Sequence, residues 1–299
     1  MSLKNRRVVW AYIFLLVPLA FFLVVRAGPT IFAFDVSLRA FNPMAEIKPY
    51  VGFDNFARVF KDIADPDHVT RKAFENTLKY VIIGTPIQLS LALGIAMLMN
   101  SIRRFRTIFR VIYFIPFVTS AVAVAWVWRA LYMPDFGFLN LVLGLFGIPS
   151  QRFLFDPNQS LLSVTAVVVW QGLGFAVIIF LAGLQAIPET FYEAARVDGA
   201  GRWRLFGSIT IPLLNPTIVY LAVLQTIAFL RMFAEVVNLT RQGDGGPVNT
   251  TTTVVLRVFR EGFGSLNMGY AAAMTVLLFA MIMVISIIQF RLVQRRVEY

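Results

Sequence analysis

The chain has 299 residues, 58% of them hydrophobic, with a mean hydropathy of +0.73 and a formal net charge of +11. Soluble domains carry roughly 45–50% apolar residues, so this composition excludes a soluble globular fold and requires apolar side chains to face lipid or other membrane segments. The lack of cysteine excludes disulfides and thiolate metal sites, and basic residues spread between apolar runs exclude a separate nucleic-acid-binding domain.

In chain order, residues 1–9 carry Lys4, Arg6 and Arg7 ahead of an apolar run over residues 10–28. The pattern is close to that of a cleavable signal peptide, but no small-x-small site follows and further apolar runs do, so an uncleaved first span is expected. From Gly28 to about Glu75 the chain reads as polar and irregular, with Pro29, Pro43, Pro49 and Pro66. A second span is expected over residues 78–100, interrupted by Gly84, Pro86 and Gly94, which membrane helices tolerate. Arg103, Arg104, Arg106 and Arg110 precede a third span, 111–132, containing Pro116. A loop-like stretch to Ser160 leads to a fourth span, 161–187. A fifth is expected over 215–239 and a sixth over 268–290, followed by residues 291–299 with Arg291, Arg295 and Arg296. Each run is near the roughly 20 residues that cross a bilayer.

Between the fourth and fifth runs lies a polar stretch, residues 188–212, punctuated by Pro188 and Pro212. Glu189 to Val197 are mostly helix formers, with acid in the first turn and Arg196 in the last, matching the helix dipole. Gly199 is placed to end that helix in a left-handed cap, and Trp203, Leu205 and Phe206 begin a second helical run. The arginines at 103, 104, 106, 110, 196, 202, 204, 291, 295 and 296 gather with Lys4, Arg6 and Arg7 on one side of the membrane. The positive-inside rule therefore puts both termini and the polar stretch in the cytoplasm of a six-span protein.

The pattern Glu193-Ala194-Ala195, Gly199, Ile209 and Ile211-Pro212, with Asp198 and Ala200, resembles the signature of permease subunits of binding-protein-dependent ABC importers. Ile211 stands where that family usually has Leu, which preserves an apolar side chain. Gly52-Phe53-Asp54-Asn55-Phe56, Phe74 to Leu78, Gly243 to Thr251, Arg260-Glu261-Gly262-Phe263 and the ending from Gln289 are similar to the carbohydrate-uptake branch, which includes maltose-type and glycerol-3-phosphate permeases. The resemblance implies an all-α membrane protein with the six-helix type I ABC importer permease fold in the cytoplasmic (inner) membrane. It implies a cytoplasmic coupling helix in which Glu193, Ala194, Ala195, Asp198 and Gly199 set the turn and Phe191, Tyr192, Trp203 and Phe206 pack against an ATPase. The implied partners are a second, similar permease subunit in a heterodimer, two ATP-binding subunits and an extracytoplasmic solute-binding protein, besides membrane lipid.

The chain itself has no Gly-x-x-x-x-Gly-Lys-Ser/Thr phosphate loop, so ATP and magnesium are expected on the partner ATPase subunits and no cofactor on this chain. Lone His68 reads as a solvated loop residue, no metal ligand set accompanies it, and no catalytic constellation is seen. Polar side chains inside apolar runs usually face a bundle interior. Gln88, Gln171, Gln225, Thr226, Arg231 and Glu235 qualify, and Trp170, Phe229, Phe233 and Tyr270 are aromatic neighbours suited to stacking on a sugar ring. The substrate-binding candidates are Gln171, Trp170, Gln225, Phe229, Arg231 and Phe233. Two other uses stay open for such residues: glue between helices, and an Arg231–Glu235 pair one turn apart. Sugar or oligosaccharide uptake is the main reading. Uptake of glycerol 3-phosphate or its diesters, using Arg129 and Arg231, is a second, and a non-transporting membrane scaffold or receptor is a third.

Overall fold

The computed structural model describes residues 3–102, 106–240 and 245–293. Arg103, Arg104, Arg295 and Arg296 of the orientation argument, Gly243 and Asp244 of the loop motif, and residues 297–299 lie outside the described residues. The chain divides into two compact units, one of residues 1–64 and 258–279, the other of 65–257 and 280–299.

In the first unit, α1 (Leu3–Phe22) passes through a π-helical turn, Leu23–Ala27, into α2 (Gly28–Ser37). The apolar helix therefore runs over Trp10–Ser37, not to residue 28. Pro29 does not break it, because proline sits in the first turn of α2 directly after the wider π turn, where one missing N–H is tolerated. The stretch read as irregular also contains α3 (Asp54–Ala64). Asn55 ties α3 to the end of α2, its Nδ2 donating to the carbonyls of Ser37 and Arg39, each at 2.9 Å. Tyr270 is fully buried, donates to Asp62 and lies beneath the Arg58 guanidinium, 4.7 Å from the ring centre. It is a packing residue of this unit.

The second unit is built on α4 (Val69–Ser101), α5 (Arg106–Val118), α6 (Ala121–Leu131), α7 (Phe138–Leu145) and α8 (Ser160–Ala186). After α8 come α9 (Glu189–Val197), α10 (Arg202–Leu205), a π turn Phe206–Thr210, α11 (Ile211–Leu230), α12 (Ala234–Leu239) and α13 (Val254–Phe259); α14 (Met268–Val293) completes the helices, its residues up to Phe279 belonging to the first unit and the rest to the second. α4 begins well before residue 78 because His68 caps it: Nδ1 accepts from the Thr70 N–H at 3.2 Å. Its small residues Ala92 and Ala96 let it lie against Ala176, Val177 and Phe180 of α8 and Leu214 and Leu221 of α11. Lipid offers no hydrophobic drive between helices, so such close packing is what joins them.

Two expected spans are broken. The third is a pair of helices bent by 96° between α5 and α6. Pro116 withholds an N–H near the end of α5, the Thr119 hydroxyl bonds back to the Ile115 carbonyl at 2.7 Å, and Ser120 is extended at ψ 133°. The fifth ends at Leu230, and α12 starts a new helix after Phe233, whose backbone is non-helical at φ −140°, ψ −61°. At its other end α11 continues without interruption from the polar stretch, the helix running over Arg202–Leu230.

Residues 245–254 fold back on α4 through a buried polar network. Asn76 Nδ2 donates to the carbonyls of Asn249 (3.0 Å) and Thr252 (3.2 Å), Tyr80 Oη donates to Thr251 O (3.3 Å), and the Val254 N–H donates to Thr77 Oγ1 (3.0 Å). Gly245 and Gly246, at φ 71° and 73°, make the turn. Asn76→Leu strands two buried carbonyls. At about 1–3 kcal/mol for each unsatisfied group, the variant is expected to unfold several degrees below wild type in detergent, measurable by a thermal shift on the purified complex.

Candidate functional site

Inside the second unit is a cavity of about 430 Å³ bounded by α4, α5, α8, α11 and α12. Three carboxamides from three helices reach it: Gln88 of α4, Gln171 of α8 and Gln225 of α11. Gln171 Nε2 is held by the Thr119 carbonyl at 3.3 Å, a group freed by the break between α5 and α6. Gln88 is 1% exposed, and neither its Nε2 nor its Oε1 has a protein partner. An unmet buried polar group costs about 1–3 kcal/mol, so this side chain holds a donor and an acceptor in reserve. Gly172 makes room for it, since a Cβ there would stand 2.2 Å from Gln88 Nε2.

Aromatic rings complete the walls. Phe117 and Phe175 stack with centroids 5.1 Å apart and planes at 24°, and Phe229 lies over Gly84, where a Cβ would come within 2.4 Å of the ring. Glu235 enters from the first turn of α12. No lysine, arginine or histidine is among the residues lining the cavity.

The structure brings together Gln171, Gln225 and Phe229 from the sequence candidates, with Gln88 and Glu235. It separates the other three. Trp170 is one position from Gln171 and so points about 100° away around α8, where it packs edge-on to Trp128 of α6 at 5.3 Å. Arg231 is exposed at the end of α11, and Phe233 lies in the break before α12; neither lines the cavity. Both were placed by assuming that α11 continues, and it does not. The same break removes the Arg231–Glu235 pair, which is not formed among the described residues. Thr226 is glue, its hydroxyl accepting from Gln289 Nε2 of α14 at 2.7 Å. Arg129 borders a different cavity, with Leu239, Thr240 and Pro247. Phe117, Thr119 and Met232 were not legible as lining residues. Phe175 was missed too, though its place one turn beyond Gln171 on the same face is a signal that could have found it.

The polar stretch forms the expected helix, turn and helix. Pro188 caps α9, and Asp198 is its C-cap. Gly199 follows at φ 79°; its N–H donates to Arg196 O at 3.0 Å, and Ala200 N–H donates to Ala195 O at 2.9 Å. This pair of bonds around a left-handed glycine is a Schellman motif. Nothing in α9 or α10 is buried. Glu193, Ala194, Asp198 and Gly199 are exposed, Ala195 and Phe206 half-buried, and Phe191 and Trp203 are 44% and 87% exposed. Tyr192 instead turns inward, its hydroxyl 3.1 Å from Thr210 Oγ1 in the π turn that leads into α11.

Comparison with known proteins agrees with this architecture. Residues 88–299 match the family described as binding-protein-dependent transport system inner membrane component. The diacetylchitobiose uptake system permease protein NgcF of Streptomyces coelicolor is 34% identical over 303 residues, covering 95% of this chain and 82% of that protein. The sn-glycerol-3-phosphate transport system permease protein UgpA of Agrobacterium fabrum is 32% identical over 255 residues, covering 84% and 83%. A chain of a bacterial alginate ABC transporter, crystallised with an alginate pentasaccharide-bound periplasmic protein, has a TM-score of 0.81 at 25% identity, covering 98% of this chain and 96% of that one. The all-helical fold is the type I importer fold that the sequence implies, and the relatives are named as permease subunits rather than enzymes. The chain belongs to the binding-protein-dependent transport system inner membrane component family: it is a multi-pass permease subunit of an ABC importer that works with a solute-binding protein.

Proposed function

We propose that this chain is one half of the membrane pair of a sugar importer, and that the carboxamide-lined cavity is its part of the solute path. The observation that carries the reading is the convergence of Gln88, Gln171 and Gln225 with three phenylalanines on one cavity. Amide donors and acceptors suit sugar hydroxyls, and aromatic faces suit the apolar side of a pyranose ring. The volume of about 430 Å³ falls in the range of roughly 300–1,000 Å³ usual for small-molecule sites. The named relatives handle a chitobiose derivative and a glycerol phosphate, and the cavity walls favour the former class. Arg129 and Arg231, the residues suited to a phosphate, lie elsewhere.

In this proposal α9 is the coupling helix. Glu193 and Asp198 anchor it in a cleft of an ATP-hydrolysing subunit, Ala194 and Ala195 allow close approach, and Phe191, Trp203 and Phe206 supply apolar contact. Both termini are cytoplasmic, two ATPase subunits bind ATP and magnesium, and a second permease subunit completes a heterodimer. ATP-driven closure of the ATPases moves α9 and, through Tyr192, Thr210 and the continuous helix into α11, the wall that carries Gln225 and Phe229. The test is reconstitution with the partner permease, ATPase and binding protein, followed by ATPase measurements across sugars and glycerol phosphates. Stimulation by mono- or oligosaccharides is expected. Stimulation by sn-glycerol 3-phosphate alone overturns the sugar reading, and a complete assembly silent to both overturns transport of these classes.

A further inference from the structure

The cavity holds one ionisable side chain, Glu235, and that carboxylate has no ion pair or hydrogen bond among the described residues. Its position follows from the break after Leu230. Had α11 continued, Glu235 would have stood one turn from Arg231 and been neutralised. The three non-helical residues instead start a new helix that turns Glu235 into the cavity and leaves Arg231 exposed. Opposite it, Gln88 presents a buried amide with neither atom partnered. Among the described residues, the site therefore offers hydrogen-bonding groups of both senses and one carboxylate, with no cation lining it to offset the charge.

We propose that Glu235 selects solutes by charge, admitting neutral or amine-bearing sugars and rejecting uronic acids and phosphorylated solutes. The inference rests on the reading of this cavity as a solute site. An anionic solute here would bring a second negative charge beside Glu235, which is only partly exposed to screening solvent, and like charges at close range repel. A neutral sugar meets no such penalty, because its hydroxyls donate to the carboxylate in charge-assisted bonds. An amino sugar gains a further ionic attraction. The chemistry of the walls thus narrows the solute class beyond what hydrogen bonding alone can do.

The experiment measures equilibrium binding to the complete transporter without its binding protein, so that the latter's own selectivity does not enter. The probes are glucose and galactose, each against its C6 carboxylate counterpart, glucuronic or galacturonic acid, followed by saturation-transfer NMR. Wild type is expected to favour the neutral sugar by at least about tenfold. Glu235→Gln is expected to bring the ratio within about threefold by raising uronic acid binding, and Glu235→Lys to invert it. A neutral-to-acid ratio unchanged in both variants overturns charge selection. Gln225→Ala separates the two readings. If neutral-sugar binding is weakened there while the charge ratio ignores position 235, only the selection by Glu235 fails. If wild type binds none of the probes, or Gln225→Ala and Glu235→Lys both leave binding untouched, the cavity reading fails and the proposal with it.

Discussion

Replacing Gly199 by valine is expected to reduce solute-stimulated ATPase activity and uptake by about tenfold or more while the subunits still co-purify. The physical reason is confined to the backbone. Gly199 sits at φ 79°, and a Cβ built on it would meet nothing within 4 Å. Space is therefore no obstacle, and the left-handed conformation is the whole difficulty. An ordinary L-residue pays roughly 1–2 kcal/mol there, a β-branched one more, and asparagine less. The expected order of coupled activity is thus Gly199, then Asn, Ala and Val. Valine relieves its strain by leaving the left-handed region, and that unmakes the bonds from Gly199 N–H to Arg196 O and from Ala200 N–H to Ala195 O. The chain then leaves α9 in a new direction, and exposed Trp203 is carried away from its present position relative to α9. The reconstituted complex reports this as basal ATPase retained and stimulation lost. Full stimulation in the valine variant would mean that the geometry of the turn does not transmit the stroke.

The features that the sequence discloses are the ones set by local chemistry. The cap at Gly199 is legible because a polar helix former run ends in glycine, and the apolar runs are legible because hydropathy needs no partner to be read. Gln171 and Gln225 are legible because an amide in an apolar helix has few places to go other than an interior. What the sequence hides is where helices stop. Pro29 and Pro86 lie within helices that continue, whereas the break after Leu230 contains neither proline nor glycine. Composition around Arg231 is compatible with continued helix, so the fifth span was expected to run to residue 239 and to include Arg231 and Phe233, which the structure places after the helix end at Leu230. The glycine-lined approach of Gly172 to Gln88 was equally hidden, since it depends on which helices meet. Residues 28–37 and α3 were read as irregular because prolines and mixed charges there mask short helices held by tertiary bonds such as those from Asn55.

Those breaks are also what make a site. A straight α11 would carry Arg231 beside Glu235 and close the charge, and a straight third span would bond Thr119 O within its own helix. Interrupted helices leave backbone and side-chain groups free at membrane depth, and such groups are tolerated where they line a cavity. Thr119 O holding Gln171 and Glu235 facing the same space are two results of this rule. The continuous helix from Arg202 to Leu230 lies between them and the polar stretch. Thr210 and Gln225 are 15 residues apart on one continuous helix, about 22 Å at 1.5 Å per residue, which is the path along which the proposed stroke would reach the cavity wall.

Gly174→Leu is expected to abolish the folded complex, and even Gly174→Ala to lower its stability by about 1–3 kcal/mol, the range for overpacking. A Cβ at Gly174 would stand 1.9 Å from the Tyr113 carbonyl oxygen, 2.6 Å from its carbon and 2.9 Å from Phe114 Cα. These are backbone atoms of α5, so no rotamer change relieves the clash and the helix must move as a body. α5 carries Phe117 and leads directly to Thr119, so the displacement also separates Phe117 from Phe175 and Gln171 from its carbonyl. Gly94→Ala in α4 is the matched control: a Cβ there meets nothing within 4 Å, and the substitution is expected to stabilise by up to about 1 kcal/mol through helix propensity. Thermal unfolding of the two alanine variants in detergent should therefore move in opposite directions. If Gly174→Ala unfolds at or above the wild-type temperature, α5 and α8 do not meet backbone to backbone, and the wall that positions Gln171 must be built in another way.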